Sequence, residues 1–238
     1  TQAGEAFLEE ARQILEQVAR ASNVAKIVAG GMRGRLEIGV TGSVIYREVP
    51  AIVRQFNAEM PDVDVVLREM SSAEQVNELL RGQIHAGFVN ASTVPPQLAS
   101  LALSEDEFVL CLPEDHPKAQ GDTVDLIELA DERFVMFSRD VAPANHDNVI
   151  AIFSRAGIHP KIAHAARQWL TIVAMVANGL GVSLVPRTLA RSRVHGVKFI
   201  RISGEQVVAP AMLVWNPAYY LPTLRSFIEC SERILTRK

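Results

Sequence analysis

The chain has 238 residues, 48% hydrophobic and 21% charged, with 24 Lys+Arg against 27 Asp+Glu for a net charge of −3. That balance excludes a disordered, collagen-like or disulfide-scaffold chain and leaves room for one large or two small hydrophobic cores. It also excludes a chain that is basic throughout, so any contact with nucleic acid needs a local patch or a further domain.

The two cysteines, Cys111 and Cys230, match no metal-ligand spacing and, as isolated thiols, suit a reducing compartment. No apolar run reaches the length of a membrane span, and no charged-then-apolar leader opens the chain. The expectation is a cytoplasmic protein with no membrane partner. Thr1 stands where an initiator Met is usual, which raises the expectation of a piece of a longer protein.

The first thirty positions predict a long helix. Phe7, Ala11, Ile14, Val18, Ala21, Ala25 and Val28 alternate steps of four and three, the spacing of a coiled-coil seam. Such a stripe cannot be buried by one helix alone. It reads as a dimerisation helix and connector, or as a helix packed on its own domain. Gly30-Gly31, with Gly34 behind them, loosen it from the rest of the chain and favour the connector.

Beyond Gly34 short strands alternate with helices. Leu36, Ile38 and Val40 predict a strand, and Val49, Ile52, Val53 and Phe56 a helix. Val63, Val65 and Leu67 predict a second strand, 72–81 a helix stopped by Gly82, and 84–89 a third strand. This order implies a largely parallel sheet with helices on both faces. After the apolar run beginning at Phe108 come a helix near 125–129, a strand at 134–137, a helix near 146–156 and a strand at 161–164. A helix at 171–178, strands at 182–186, 197–202 and 212–215, and an amphipathic helix with Leu224, Phe227, Ile228, Ser231 and Leu235 on one face complete the chain. The expected architecture is α/β: two Rossmann-like subdomains with a central cleft. The boundaries are a linker helix at 1–30, subdomain I at 34–108 plus 212–238, and subdomain II at 109–211.

Catalytic signatures are missing. There is no G-x-S-x-G elbow and no phosphate loop, and Gly179–Leu184 lacks the third glycine and following helix of a dinucleotide fingerprint. The six histidines form no recognised ligand set. No enzyme activity, cofactor or metal is expected.

Open α/β sheets bind ligands at the carboxyl ends of their strands. The first such turn, Thr41-Gly42-Ser43, offers two hydroxyls and backbone N–H groups before a helix, a setting suited to a carboxylate or to plain helix capping. The next, Ser71-Ser72, fits a capping box either as Ser71 with Glu74 or as Ser72 with Gln75, which leaves one hydroxyl for a cleft. Asn90 comes after the third strand, as a ligand group or a turn residue. In the second subdomain Pro143, Ala144 and Asn145 lie in a polar loop entering a helix, where backbone N–H groups would point outward. In Arg167-Gln168-Trp169, Gln168 could orient a ligand and Trp169 could wall its apolar part or pack in the core.

Five segments in order resemble one family. The opening TQAGEAFLEEARQIL is similar to the linker helix of the LysR-type transcriptional regulators, T-x-A-G-x-x-F-L-x-x-A-x-x-I-L. GRLEIGV, VPAIVRQFNAEMPDVDVVL, ELLRGQIHAGFV and VANGLGVSLVP resemble successive parts of that family's regulatory domain. The resemblance covers essentially the whole chain. It implies a fold similar to periplasmic binding proteins and a small-molecule effector in the cleft. In the subgroup that senses aromatic-degradation intermediates, the effector positions match Thr41, Gly42, Ser43, Ser72, the Pro143–Asn145 loop and Gln168–Trp169. It further implies a DNA-reading winged helix-turn-helix preceding Thr1, assembly as a homodimer or homotetramer, and RNA polymerase as a candidate partner. Two positions depart from the family: His85 stands where an acidic residue is usual, and Trp169 is bulkier than expected.

The expected function is therefore effector binding and oligomerisation in a transcriptional regulator, the ligand being an aromatic acid or a dicarboxylate. The alternative is a solute-binding receptor of a transport system, which would use the same two-lobed fold.

Overall fold

The computed structural model describes Thr1 and residues 33–236, apart from residues 92, 141–142 and 205–207, with the backbone alone at Ala144. The Phe7–Val28 seam, and with it the expected dimerisation helix, lies outside the described residues. In chain order the first elements are β1 (Gly34–Val40), α1 (Val49–Glu59), β2 (Val63–Glu69), α2 (Ser72–Leu80), β3 (Ala86–Val89) and β4 (Ala99–Ala102). Then come β5 (Phe108–Pro113), β6 (Thr123–Val124), β7 (Arg133–Phe137), α3 (Pro143–Arg155), β8 (Lys161–Ala166) and α4 (Trp169–Ala177). β9 (Ser183–Pro186), β10 (Val197–Ile202), β11 (Met212–Trp215) and α5 (Pro222–Leu235) complete the order.

Local chemistry sets the helix ends. Pro61 succeeds Met60, the C-cap of α1, and keeps the chain from continuing as helix. Ser71 and Glu74 make the reciprocal capping box at the start of α2, the first of the two pairings open from sequence. Gly82, at φ +69°, ends that helix, with the Tyr219 ring 3.0 Å from where a Cβ would stand.

The strands form a five-stranded sheet in the order β2-β1-β3-β11-β4, a four-stranded sheet β6-β10-β5-β9 and a β7-β8 pair. β1 is parallel to β2 and β3, but β11 is antiparallel to β3 and β4. The expectation of a largely parallel sheet thus holds only for the first three strands. β11 returns from the other lobe, not through a crossover helix on the same sheet, and so arrives in the opposite direction. The second lobe is mixed too, with β10-β5 and β5-β9 antiparallel. Phe108, assigned from sequence to subdomain I, pairs with Pro186 and stands in the second sheet.

Other departures are local. α3 begins at Pro143, three positions before the expected start, because proline at the first helical position loses no hydrogen bond. α4 begins at Trp169 instead of near Thr171. β4 and β6 carry too little pattern to be expected from sequence; the first is half exposed and the second spans two residues.

Both faces of the five-stranded sheet are covered. On one, Leu36, Ile38 and Phe88 pack against Ile52 and Phe56 of α1 and Phe227 of α5, with the Phe56 and Phe227 rings edge-on at 5.1 Å. On the other, Val89 and Val214 pack against Leu79 of α2. The second lobe has a single core, where Phe134 meets Phe153 edge-on at 4.7 Å. Each such side chain contributes about 1.5–3 kcal/mol by leaving water.

The chain passes between the lobes after β4 and again after β10, and a buried polar group fastens the junction. Arg47 donates to the Ala209 carbonyl and stands 3.7 Å from Asp106, and both side chains are buried. Thr188 of the second lobe donates to the same Asp106 oxygen at 2.6 Å. Burial lowers the Arg47 pKa from its ordinary value, opposed by the charges of Asp106 and Glu48. No helix among the described residues is long and apolar enough to cross a membrane.

Candidate functional site

Strand register assembles the first wall of the cleft. Val40 pairs with Glu69 on one side and with Phe88 on the other. The three strands therefore end level, and the turns at 41–43, 70–72 and Asn90 meet at one edge.

Asn90 is the hub of that edge. Its side-chain amide donates to Thr41 Oγ1 at 3.2 Å and to Ser43 Oγ at 2.9 Å. Its backbone N–H donates to Ser72 Oγ at 3.1 Å, and Ser72 returns a bond to the Asn90 carbonyl at 3.5 Å. Ser71 turns instead to its own helix, accepting from the Glu74 N–H at 3.2 Å. The Ser71 N–H donates to Glu74 at 2.8 Å. That bond and the Ser71 hydroxyl hold the Glu74 carboxyl below its ordinary pKa, with a smaller contribution from the charge of Arg167.

Behind the hub stands Gln75, fully buried, donating to the Met70 and Phe88 carbonyls at 3.1 and 3.3 Å. A Cβ at Gly39 would lie 2.7 Å from Gln75 Cγ, and one at Gly87 2.5 Å from its Oε1. Glycines inside two adjacent strands make the room for this amide. That pair of glycines is the sequence signal for Gln75, and a reading of single turns does not reach it.

The opposite wall comes from the second lobe. Trp169 is 5% exposed and packs on Phe137 at 4.6 Å and Phe108 at 6.3 Å. Its indole N–H has no hydrogen-bond partner among the described residues. Trp169 thus fills both roles left open from sequence, core packing and cleft wall. Gln168 is the N-cap of α4, exposed and making no side-chain capping bond, while Asn145 is buried.

Between these walls lies a cavity of about 880 Å³, large enough for a small metabolite. Thr41, Gly42, Ser43, Ser71, Ser72 and Asn90 line it from the first lobe, and Asn145, Gln168 and Trp169 from the second. Pro143 does not: it is exposed, outside the lining, and as proline has no N–H to offer. The Ala144 side chain lies outside the described residues. The lining also includes Glu69, Glu74, Arg167 and Phe137, none of which the sequence assigns to the cleft. Glu69 was legible in principle, since it ends its strand beside Val40. Arg167 owes its place to the approach of the second lobe.

The donor set suits polar binding. Thr41 and Ser43 oxygens already accept from Asn90, so the Ser43 proton remains to be donated to a ligand. Among the described residues no group of three or more His, Cys, Asp or Glu side chains could hold a metal ion.

Comparison with known proteins identifies the fold and the family. Residues 29–235 match the LysR substrate binding domain family. The chain is 32% identical over 230 residues to the uncharacterized HTH-type transcriptional regulator YnfL of Escherichia coli (strain K12), covering 95% of this chain and 77% of that one. It is 32% identical over 229 residues to the HTH-type transcriptional regulator TcbR of Pseudomonas sp. (strain P51), covering 96% and 78%. The crystal structure of CbnR, a LysR family transcriptional regulator, superposes with a TM-score of 0.85 at 32% identity over 97% of this chain and 80% of that one. The BenM effector binding domain with its effector benzoate shares the fold, at a TM-score of 0.75 and 22% identity over 86% of this chain and 93% of that one. These relatives are transcriptional regulators, which disfavours the transport-receptor reading. The chain belongs to the LysR family of transcriptional regulators and contains its effector-binding domain.

Proposed function

We propose that the cleft binds a small organic acid and that its occupancy shifts the balance between two arrangements of the lobes, changing how the regulator engages DNA. The observation that carries this reading is the 880 Å³ cavity with hydroxyl and amide groups on one wall and Arg167 beside the Trp169–Phe137 aromatic wall on the other. Ligand groups touching both walls favour one spacing between them; equal affinity for both arrangements would shift nothing. The junction through Arg47, Asp106 and Thr188 is the element such a shift would have to strain or rearrange.

In this proposal the domain acts by binding, without turnover, cofactor or metal, in the cytoplasm. DNA is read through a domain preceding Thr1, and the Phe7–Val28 seam joins chains into a homodimer or homotetramer. RNA polymerase is then a natural further partner. CbnR, at 32% identity, has been solved full-length with its target DNA, which supports the DNA arm of the reading.

A thermal-shift screen of small carboxylates against the wild-type chain, Ser43→Ala and Ser72→Ala tests the site. Saturation at a hundred times Kd stabilises by about 2.7 kcal/mol. Ser43→Ala should reduce the shift by removing a donor, and Ser72→Ala by loosening Asn90. Hits stabilised equally in all three proteins would place binding elsewhere.

A further inference from the structure

The cavity is not uniformly suited to anions. Glu69 lines it with its carboxylate lying over Gly42: a Cβ built there would stand 3.0 Å from Glu69 Oε1. The Glu69 backbone pairs in the β1–β2 ladder, and among the described residues its side chain makes no hydrogen bond or ion pair. The Gly42 turn, which the sequence marks as a carboxylate subsite, is therefore already faced by a carboxylate. Glu74 also lines the first lobe's side, capped at Ser71 and within reach of the charge of Arg167. Arg167 lines the cavity from the other lobe, with no ion pair within 4 Å among the described residues, and its charge acts on Glu74. A ligand between these walls meets a negative end at Gly42 and a positive end at Arg167, with the aromatic faces of Trp169 and Phe137 on the Arg167 side.

We propose that Glu69 selects the charge pattern of the ligand: an aromatic acid whose carboxylate lies toward Arg167 and whose opposite end, over Gly42, is a cationic or neutral hydrogen-bond donor. Amino-substituted aromatic acids are accepted and aromatic dicarboxylates are rejected. This rests on the reading that the cleft binds an organic acid, and it narrows that reading by excluding a second carboxylate. The interaction is ordinary Coulomb energy at a solvent-exposed group. Opposite charges about 5 Å apart in water gain a few-fold in affinity, on the order of fivefold, and like charges lose a similar factor.

Three ligands of one shape separate the terms: 4-methylbenzoate, 4-(aminomethyl)benzoate and terephthalate, titrated by calorimetry into the chain and into Glu69→Gln. In the wild type the aminomethyl acid should bind about fivefold tighter than the methyl acid, and terephthalate about fivefold weaker. Glu69→Gln should collapse that spread to within about twofold, and added salt should compress it in the wild type alone. Arg167→Gln should weaken all three. Terephthalate binding the wild type as tightly as 4-methylbenzoate, or an order unchanged in Glu69→Gln, overturns the selection by Glu69 while leaving the cleft as the binding site. Failure of all three ligands to bind either protein overturns both readings.

Discussion

On the first-lobe wall Asn90, Thr41, Ser43 and Ser72 are tied to one another by hydrogen bonds at 2.9–3.5 Å. On the second-lobe wall Trp169 is held by Phe137 and Phe108, and its N–H finds no hydrogen-bond partner among the described residues. The first wall is directional: each oxygen is oriented by a partner whose own position is set by strand register. The second is held by shape, which fills space without orienting polar atoms. A ligand bridging the two meets a preset hydrogen-bonding pattern on one side and, on the other, an aromatic surface flanked by Asn145, Arg167 and Gln168.

The contrast breaks most visibly at Trp169. Trp169→Ala should destabilise the domain by about 3–5 kcal/mol in chemical denaturation, because a buried ring is lost from a core. Trp169→Phe keeps most of the packing and removes an N–H without a partner, so it should cost far less, about 1 kcal/mol or below. A loss in Trp169→Phe as large as in Trp169→Ala would mean that the wall depends on the indole's polarity.

On the first wall the largest effect should come from Gly87→Ala, whose methyl would stand 2.5 Å from Gln75 Oε1. A cost of about 1–3 kcal/mol is expected, and Gln75→Ala in the same chain should recover part of it; a strictly additive double mutant would show that the two do not meet. Asn90→Ala should cost about 1–2 kcal/mol through the bonds it breaks. Its mark is that ligand affinity falls further in Asn90→Ala than in Ser43→Ala, measured by calorimetry.

Smallest is the capping box. Ser71→Ala should cost about 1 kcal/mol by thermal melting. Because the folded Glu74 pKa is depressed, chiefly by the Ser71 N–H, its contribution is complete above the unfolded carboxylate pKa of about 4.3 and is lost as pH falls through the lower folded value. Glu74→Gln should flatten that acid-side slope slightly, and an unchanged slope between wild type and Glu74→Gln would remove Glu74 as its source.

Much of the fold is readable in the sequence, for local reasons. The alternation of Leu36, Ile38 and Val40 and the spacing of Val49, Ile52 and Phe56 report which face of each element is buried. Asn90, Ser43 and Ser72 are legible as polar residues at strand ends, where α/β sheets bind ligands. The start of α3 is misplaced from sequence because Pro143 signals a turn and a first helical position equally well. Arg167 escapes a sequence reading because it looks like an ordinary surface charge until the lobes are placed, whereas Glu69, which ends its strand beside Val40, is legible from its own sheet.

The sequence by itself determined most of the elements, the α/β class and the family, because periodicity, caps and motif order are written within short stretches of chain. Only the tertiary structure decided how the hydroxyls are used: Thr41 and Ser43 bond to an amide more than forty positions away, at Asn90. It also decided the direction of β11, the double role of Trp169 and the opposition of Glu69 to Arg167. These depend on how sheets and lobes meet. A repeat pattern tells a residue's face on its own element and leaves open which distant side chain that face will meet.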